Sequence, residues 1–224
     1  APIWSKSMEM NDMEKPDFLK NAMRNLSIPV ITMEKYGFDC PGVDILFDYE
    51  KGGYMATRHL IECGHRRIGC VAGKQSFHVT MQRLNGYKKA LEESGISYDP
   101  DLVYFGDYTM ESGYEAFSYI LGQKVTAIFS MNDEMAFGIY RAARLYGVSI
   151  PEDISIIGFD NVPFADVMQV PLTTIGVPVI EMGKKLGEKV VDLIDNKEKL
   201  KEREEILYTP RLLVRGSTKS IPPV

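Results

Sequence analysis

"VTAIFSMNDEMAFGIYRAARLYGVSIPEDISIIGFDN", residues 125–161, contains two apolar runs separated by a helix-period segment. VTAIF has the length and character of a buried strand. The spacing of apolar residues predicts a helix over 133–146, stopped by Gly147, where a left-handed cap is cheapest. Pro151-Glu152-Asp153 turns the chain into a second buried run, ISIIGF, which ends at Asp160-Asn161. Strand, helix, strand in this order is a parallel βα unit, because a crossover of this length returns the chain to the same edge of the sheet.

The same beat extends outward. DILF (44–47) is followed by a helical pattern with Ala56, Leu60 and Cys63 on one side and Gly64 at its end. RIGCVA comes next, then a helix showing Leu84, Tyr87 and Leu91 and closed by Gly95, then LVYF and a helix over about 109–121. Beyond PLTTI, residues 178–195 read as a long helix with Ile180, Gly183, Gly187, Val190, Val191 and Ile194 toward a core. DNKEKLKEREE (195–205) reads as a solvated helix end and loop, and ILYTPRLLVRGS as a terminal strand pair interrupted at Pro210. Toward the start, Pro16 to Leu26 suits a helix and IPVITM a strand, while residues 1–14 show no clear period.

Composition excludes several classes. With 224 residues, 45% of them hydrophobic, the chain can bury a sizeable core in one large domain or two lobes. Twenty-six basic against 31 acidic residues leave a formal charge of −5, with no Lys/Arg concentration suited to tracking phosphates, so these residues are not expected to bind nucleic acid tightly. No apolar run reaches bilayer length and no signal-peptide order is present, which predicts no membrane association. Cys40, Cys63 and Cys70 form no CxxC pair, arguing against a disulfide framework or zinc knuckle and for a reducing cytoplasm; Cys63 and Cys70 read as small buried hydrophobes.

In an open parallel sheet, ligands sit beyond the carboxyl ends of the strands. The residues just past each predicted strand are therefore informative: Glu34 after VITM, Tyr108 after LVYF, Asn132-Asp133 after VTAIFSM, Asp160-Asn161 after ISIIGF, and a helix carrying Arg83 after RIGCVAG. Carboxylates and amides exchange hydrogen bonds with hydroxyls, Arg offers a planar fork of donors, and a tyrosine ring stacks on an apolar C–H face; the set suits a hydroxyl-rich ligand. Each residue also has an ordinary reading: Asp133 or Asp160 as a helix cap, Arg83 as a surface helix residue paired with Glu93 or a neighbour, Tyr108 as core. Glu34 and Asp160 carry no spacing that marks a glycosidase pair. His59 (polar helix face), His65 (just after a helix cap) and His78 (loop) lack Ser, Cys or metal-ligand partners at telling spacings, and no GxSxG, HExxH or GxxxxGK[ST] occurs. No enzyme activity, cofactor or metal is expected.

Five ordered stretches, SIPVITME, FDYEKGGYMATRHLIECGHRRIGCVAG, QRLNGYKKALEESGI, the run from SMNDEMAFG to PLTTI, and PRLLVRGST, resemble the effector-binding domain of the LacI/GalR family of bacterial transcription regulators over residues 27–218. The resemblance implies an α/β, two-lobed type I periplasmic-binding-protein-like fold, with parallel sheets flanked by helices and three crossovers, near 47–49, 176–178 and 205–208. One lobe would comprise 1–48 and 178–205, the other 49–177 and 206–220. The first lobe is expected to be incomplete, lacking two βα units ahead of IPV.

By the same resemblance Glu34, Arg83, Tyr108, Asn132 and Asp160 line an inter-lobe cleft for a small-molecule effector of carbohydrate type. Val177 stands where several sugar-responsive members carry a polar side chain, which allows a smaller or partly apolar ligand. Phe137, Tyr140, Phe164 and Met168 would contribute to a homodimer face, with internal packing as the other reading. Operator DNA would be bound only through a helix-turn-helix absent from these residues. An exported sugar-binding protein of a transporter shares fold and cleft and is the competing expectation.

Overall fold

A computed structural model of the chain describes residues 30–33, 42–196 and 203–222. They fall into two compact units, the larger holding Tyr49–Val177 and residues 210–222, the smaller holding the described residues up to Asp48 together with those of Pro178–Thr209.

The larger unit is built on a six-stranded sheet. Its elements in chain order are α1 (Tyr49–Glu62), β3 (Ile68–Ala72), α2 (His78–Glu93), β4 (Val103–Phe105), α3 (Met110–Gly122), β5 (Ala127–Ser130), α4 (Asp133–Tyr146), β6 (Ser155–Asp160), β7 (Thr173–Gly176) and β9 (Arg211–Leu213); β1, β2, α5 and β8 belong to the smaller unit. The strand order is β4-β3-β5-β6-β7-β9. All neighbours are parallel except β9, which runs antiparallel to β7. Every residue of β3 and β5 is buried, as their unbroken apolar runs require when helices cover both faces. α1 packs on α2 and α3 on α4, each pair covering one face of the sheet. The core is filled by large side chains such as Phe117, Phe129, Phe159, Tyr87 and Ile128, all fully buried.

Helix ends match the sequence closely. Asn132 caps α4, its side chain accepting the Met135 N–H, and Gly147 terminates the helix at φ 69°. α1 and α2 approach so closely that a side chain on Gly53 would strike the Arg83 carbonyl, and one on Gly86 would strike backbone of Glu50 and Tyr54. The two glycines therefore set where Arg83 sits along the sheet.

The chain passes from β3 outward to β4 and returns past β3 to β5. That reversal makes the carboxyl ends of β3 and β5 the switch point of the sheet, where diverging loops leave a crevice.

The smaller unit contains a parallel sheet of β1 (Ile31–Thr32), β2 (Gly42–Phe47) and β8 (Arg203–Tyr208) in the order β1-β2-β8, with α5 (Val179–Asp195) beside β2. Val43, Ile45 and Phe47 of β2 and Met182 and Leu193 of α5 are buried. Arg203 on β8 donates from both Nε and Nη2 to Asp44 Oδ2 on β2.

Three expectations change. The predicted terminal strand pair is not a pair: β8 joins β2 in the smaller sheet and β9 joins β7 in the larger, Thr209-Pro210 separating them. Residues 203–205, read as loop, are the exposed start of β8, where charges suit a solvated strand. On α5 the inward residues are Met182 and Leu193, whereas Ile180, Gly183, Gly187, Val191 and Ile194 are exposed; the helix carries apolar residues on two sides, and periodicity alone selects the wrong one. The expected helix over Pro16–Leu26, the first residues of IPVITM, and Cys40 lie outside the described residues.

Candidate functional site

Four of the five predicted ligand residues converge at the carboxyl ends of the larger sheet; Glu34 lies outside the described residues. Arg83, on the second turn of α2, is 5% exposed. Its Nη2 donates to Asp160 Oδ1 at 3.2 Å and its Nη1 to the Met131 carbonyl at the end of β5. The guanidinium lies 3.8 Å from the Phe159 ring centroid and 5.0 Å from that of Tyr49, so an aromatic floor replaces part of its hydration. Among the described residues, Arg83 Nε is buried without a hydrogen-bond partner. The reading of Arg83 as a surface partner of Glu93 is thereby excluded; Glu93 instead accepts from the Tyr54 hydroxyl.

Asp160 ends β6 with φ 109°, and Asn161 comes next at φ 60°. Two successive residues with side chains in positive-φ conformations are costly and need support from their surroundings. Asp160 is no helix cap. Burial raises its carboxyl above the ordinary value, and Arg83 opposes that rise. Its side chain remains 36% exposed, open to solvent beside the buried cation.

Tyr108 adopts φ 72° in the loop after β4. Its hydroxyl is bonded to Thr80 Oγ1 at 2.7 Å and its ring stacks on Phe77 at 6.2 Å between centroids. Burial raises its phenol, with Arg83 and Thr80 pulling the other way. Asn132 Nδ2 donates to the Tyr108 carbonyl at 2.9 Å while its Oδ1 caps α4, so this side chain ties β5's end to the Tyr108 loop. Most of the polar atoms of both residues are thus already engaged.

Several contributors escaped the sequence reading. Tyr49 and Phe159 form the floor beneath Arg83; the signal was present, since Phe159 immediately precedes Asp160 and Tyr49 opens the first helix of the unit. Asp133, read from the sequence as a strand-end residue or a helix cap, is fully buried and is not the cap, a role Asn132 fills. Its Oδ1 accepts from the Thr174 hydroxyl at 2.7 Å and its Oδ2 from the Val162 N–H at 2.9 Å, while burial pushes its carboxyl up to about 6.

The three histidines lie outside this cluster. His65 is buried between the start of β5, the start of β6 and the C-terminal segment, its ring nitrogens bonded to Thr126, Ser155 and the Lys219 carbonyl. His59 meets Thr218, and His78 opens α2 rather than lying in a loop. Among the described residues no group of His, Cys, Asp and Glu is arranged to hold a metal ion, and no helix is long and apolar enough to cross a membrane.

Phe137, Tyr140, Phe164 and Met168 line one open groove of about 840 Å³, together with Met110 and Val170. Phe137 is buried in its floor, Tyr140 donates to the Val170 carbonyl at 3.0 Å, and Phe164 stands 69% exposed at the rim.

Comparison with known proteins bears on what such a crevice serves. The periplasmic binding protein-like domain model matches residues 57–218. The chain is 36% identical over 208 residues to the HTH-type transcriptional repressor PurR of Photobacterium profundum, covering 92% of this chain and 61% of that protein. A LacI family transcriptional regulator from Enterococcus faecium, solved with bound ribose, superposes with a TM-score of 0.83 at 30% identity, covering 93% of this chain and 77% of that one. The transcriptional regulator CelR in complex with cellobiose gives 0.73 at 34% identity, covering 78% and 54%. The chain spans about three fifths of the length of the PurR repressors it matches. With its parallel sheets, its flanking helices and these matches across most of its length, the chain belongs to the LacI family of transcriptional regulators and carries that family's periplasmic-binding-protein-like domain.

Proposed function

We propose that the crevice at the carboxyl ends of β3 to β6 binds a small hydroxyl-rich effector of sugar type, and that its occupancy controls operator binding by a helix-turn-helix elsewhere in the regulator. The observation that carries this reading is Arg83. It is a buried cation with one N–H unpartnered among the described residues, paired with a carboxylate that remains partly open to water. A buried donor without a partner costs free energy that an incoming oxygen recovers, and a carboxylate beside it accepts from a hydroxyl on the same ligand. The ribose and cellobiose held by two related regulators support the same chemical class. A regulator of DNA works in the cytoplasm and, in the arrangement we favour, as a homodimer through the groove lined by Phe137, Tyr140, Phe164 and Met168.

Thermal shift tests the ligand. D-ribose, cellobiose, sugar phosphates and purines are screened, and the binding compound raises the melting temperature because it stabilises only the folded state, by about 2.7 kcal/mol at a hundred times its Kd. Asp160→Ala and Arg83→Met abolish the shift. A sugar that still stabilises both folded variants as strongly would remove this crevice from consideration.

A further inference from the structure

Asp160 presents its carboxylate from a backbone conformation that residues with side chains rarely adopt, φ 109°, and Asn161 continues it at φ 60°. Something must hold this turn. Two groups do so from opposite sides. Arg215 in the segment after β9 donates from Nη2 to Asn161 Oδ1 at 2.7 Å and from Nη1 to the Leu172 carbonyl at 2.7 Å. Beneath the turn lies Asp133, fully buried at the first position of α4.

The surroundings of Asp133 are shaped around its carboxylate. Gly158 on β6 lies against Oδ1, so that any side chain there would collide with it. Thr174, directly across from Gly158 on β7, donates its hydroxyl to the same oxygen. Oδ2 accepts the Val162 N–H, and the Asn161 N–H also bonds this carboxylate. A buried carboxylate that only capped its own helix would need neither donor from the 160–162 turn. It gains those two donors only when the turn has the form seen, which fixes the direction in which Asp160 leaves the strand.

We infer that Asp133 is a positioning residue: by accepting the backbone N–H groups of Asn161 and Val162, it holds the left-handed Asp160–Asn161 turn and thereby aims the Asp160 carboxylate at Arg83 and at the effector. The inference rests on the crevice being the effector site only for its last step. Protonation of Asp133 weakens its hold, because a carboxylic acid is a poorer acceptor than a carboxylate. The titratable and charged groups facing Asp133 are Asp160 at the end of β6, which raises its pKa, and Tyr140 on its own helix, with Arg83 of α2 and Arg215 of the C-terminal segment one residue removed.

The test is a pH titration of the isotopically labelled 224-residue chain followed by NMR without ligand, repeated in an Asp160→Asn background to separate the two coupled carboxyls. The expected result is that the Asn161 and Val162 amide protons and the Arg83 side-chain N–H groups all shift with the midpoint of the Asp133 carboxyl, near 6. Asp133→Ala, measured well below its melting temperature, loses the Arg83 Nη signature of pairing with Asp160, and Asp133→Asn, which keeps an acceptor oxygen, largely restores it. With D-ribose as probe, Asp133→Ala weakens binding by about tenfold or more, the scale of one hydrogen bond to a charged group.

Amide protons at 161 and 162 that stay flat through the Asp133 midpoint overturn the inference, as does an unchanged Arg83 signature in folded Asp133→Ala. If that variant does not fold, the titration of the unmodified chain decides alone. Absence of ribose binding to the unmodified chain counts against the sugar reading only, since the titration contains no ligand.

Discussion

Removing Asp160 asks how much a buried arginine depends on its carboxylate. Breaking a fully buried ion pair by deleting one partner costs about 3–5 kcal/mol, because the survivor is left charged and dry, whereas exposed pairs contribute about 0–1 kcal/mol. The Arg83–Asp160 pair is asymmetric: Arg83 is 5% exposed, while the Asp160 side chain is 36% exposed. Once the carboxylate is gone, water reaches the guanidinium through the space it occupied. Arg83 also keeps its bond to the Met131 carbonyl and its place over the Phe159 ring.

Asp160→Ala should therefore cost about 1–2 kcal/mol, below the buried-pair range. Arg83→Met should cost more, about 2–3 kcal/mol, since it strips a carbonyl of its donor and removes the cation–π contact. In the Arg83→Met background Asp160→Ala should cost almost nothing, giving a coupling of about 1–2 kcal/mol. Urea unfolding monitored by circular dichroism at about pH 7.5 measures all four chains. A coupling below about 0.3 kcal/mol, within the scatter expected of independent sites, would mean that solvent screens the pair and that Arg83 is held by Met131 and Phe159 alone.

Other parts of the larger unit give three further outcomes. Gly53→Ala drives a methyl into the Arg83 carbonyl at the α1–α2 crossing and should destabilise by about 1–3 kcal/mol, whereas Gly122→Ala, with open space around it, should be neutral or stabilising by up to about 1 kcal/mol; denaturant midpoints compare them. Burial pushes the His65 imidazole below 6.5, so its contribution is complete above that pH and is lost as pH falls, because the unfolded chain takes up a proton that the folded one refuses. The slope is at most about 1.4 kcal/mol per pH unit and should shrink in His65→Asn. Asp133, raised to about 6, acts in the opposite sense between about pH 4 and 6, so the difference between the two chains is the quantity to read. The Cys70 thiol, buried and pushed far above its ordinary value, should resist alkylation in the folded chain while half-buried Cys63 reacts slowly; peptide mapping locates the label, and rapid modification of Cys70 in the native state contradicts its burial.

Much of the larger unit was legible because its signals are local. β3, β5 and β6 are unbroken apolar runs of strand length, and Gly64, Gly95 and Gly147 end the intervening helices at the expected positions. The strand-end rule then brought Arg83, Tyr108, Asn132 and Asp160 together without any pairwise spacing in the chain. What stayed hidden depends on partners distant in sequence. Nothing near ILYTPRLLV says that its two halves join different sheets. The two apolar sides of α5 give one period and two phases, and only the packed neighbours choose between them. Asp133 looked like one more acid at a helix start; its importance comes from Gly158, Thr174 and the 160–162 turn, brought beside it by the sheet register.

The placement of β9 has a consequence for synthesis. The chain leaves the larger unit after β7, makes α5 and β8 for the other sheet, and only then delivers β9 to the open side of β7. Ser217, fully buried, next bonds the Thr173 N–H and the Ile156 carbonyl. While the ribosome is still translating the intervening segment, the nascent sheet exposes a rim of unpaired backbone groups, the kind of surface that recruits stray strands. Chaperone protection during that interval would matter more for this polypeptide than for one whose border strand is made in turn.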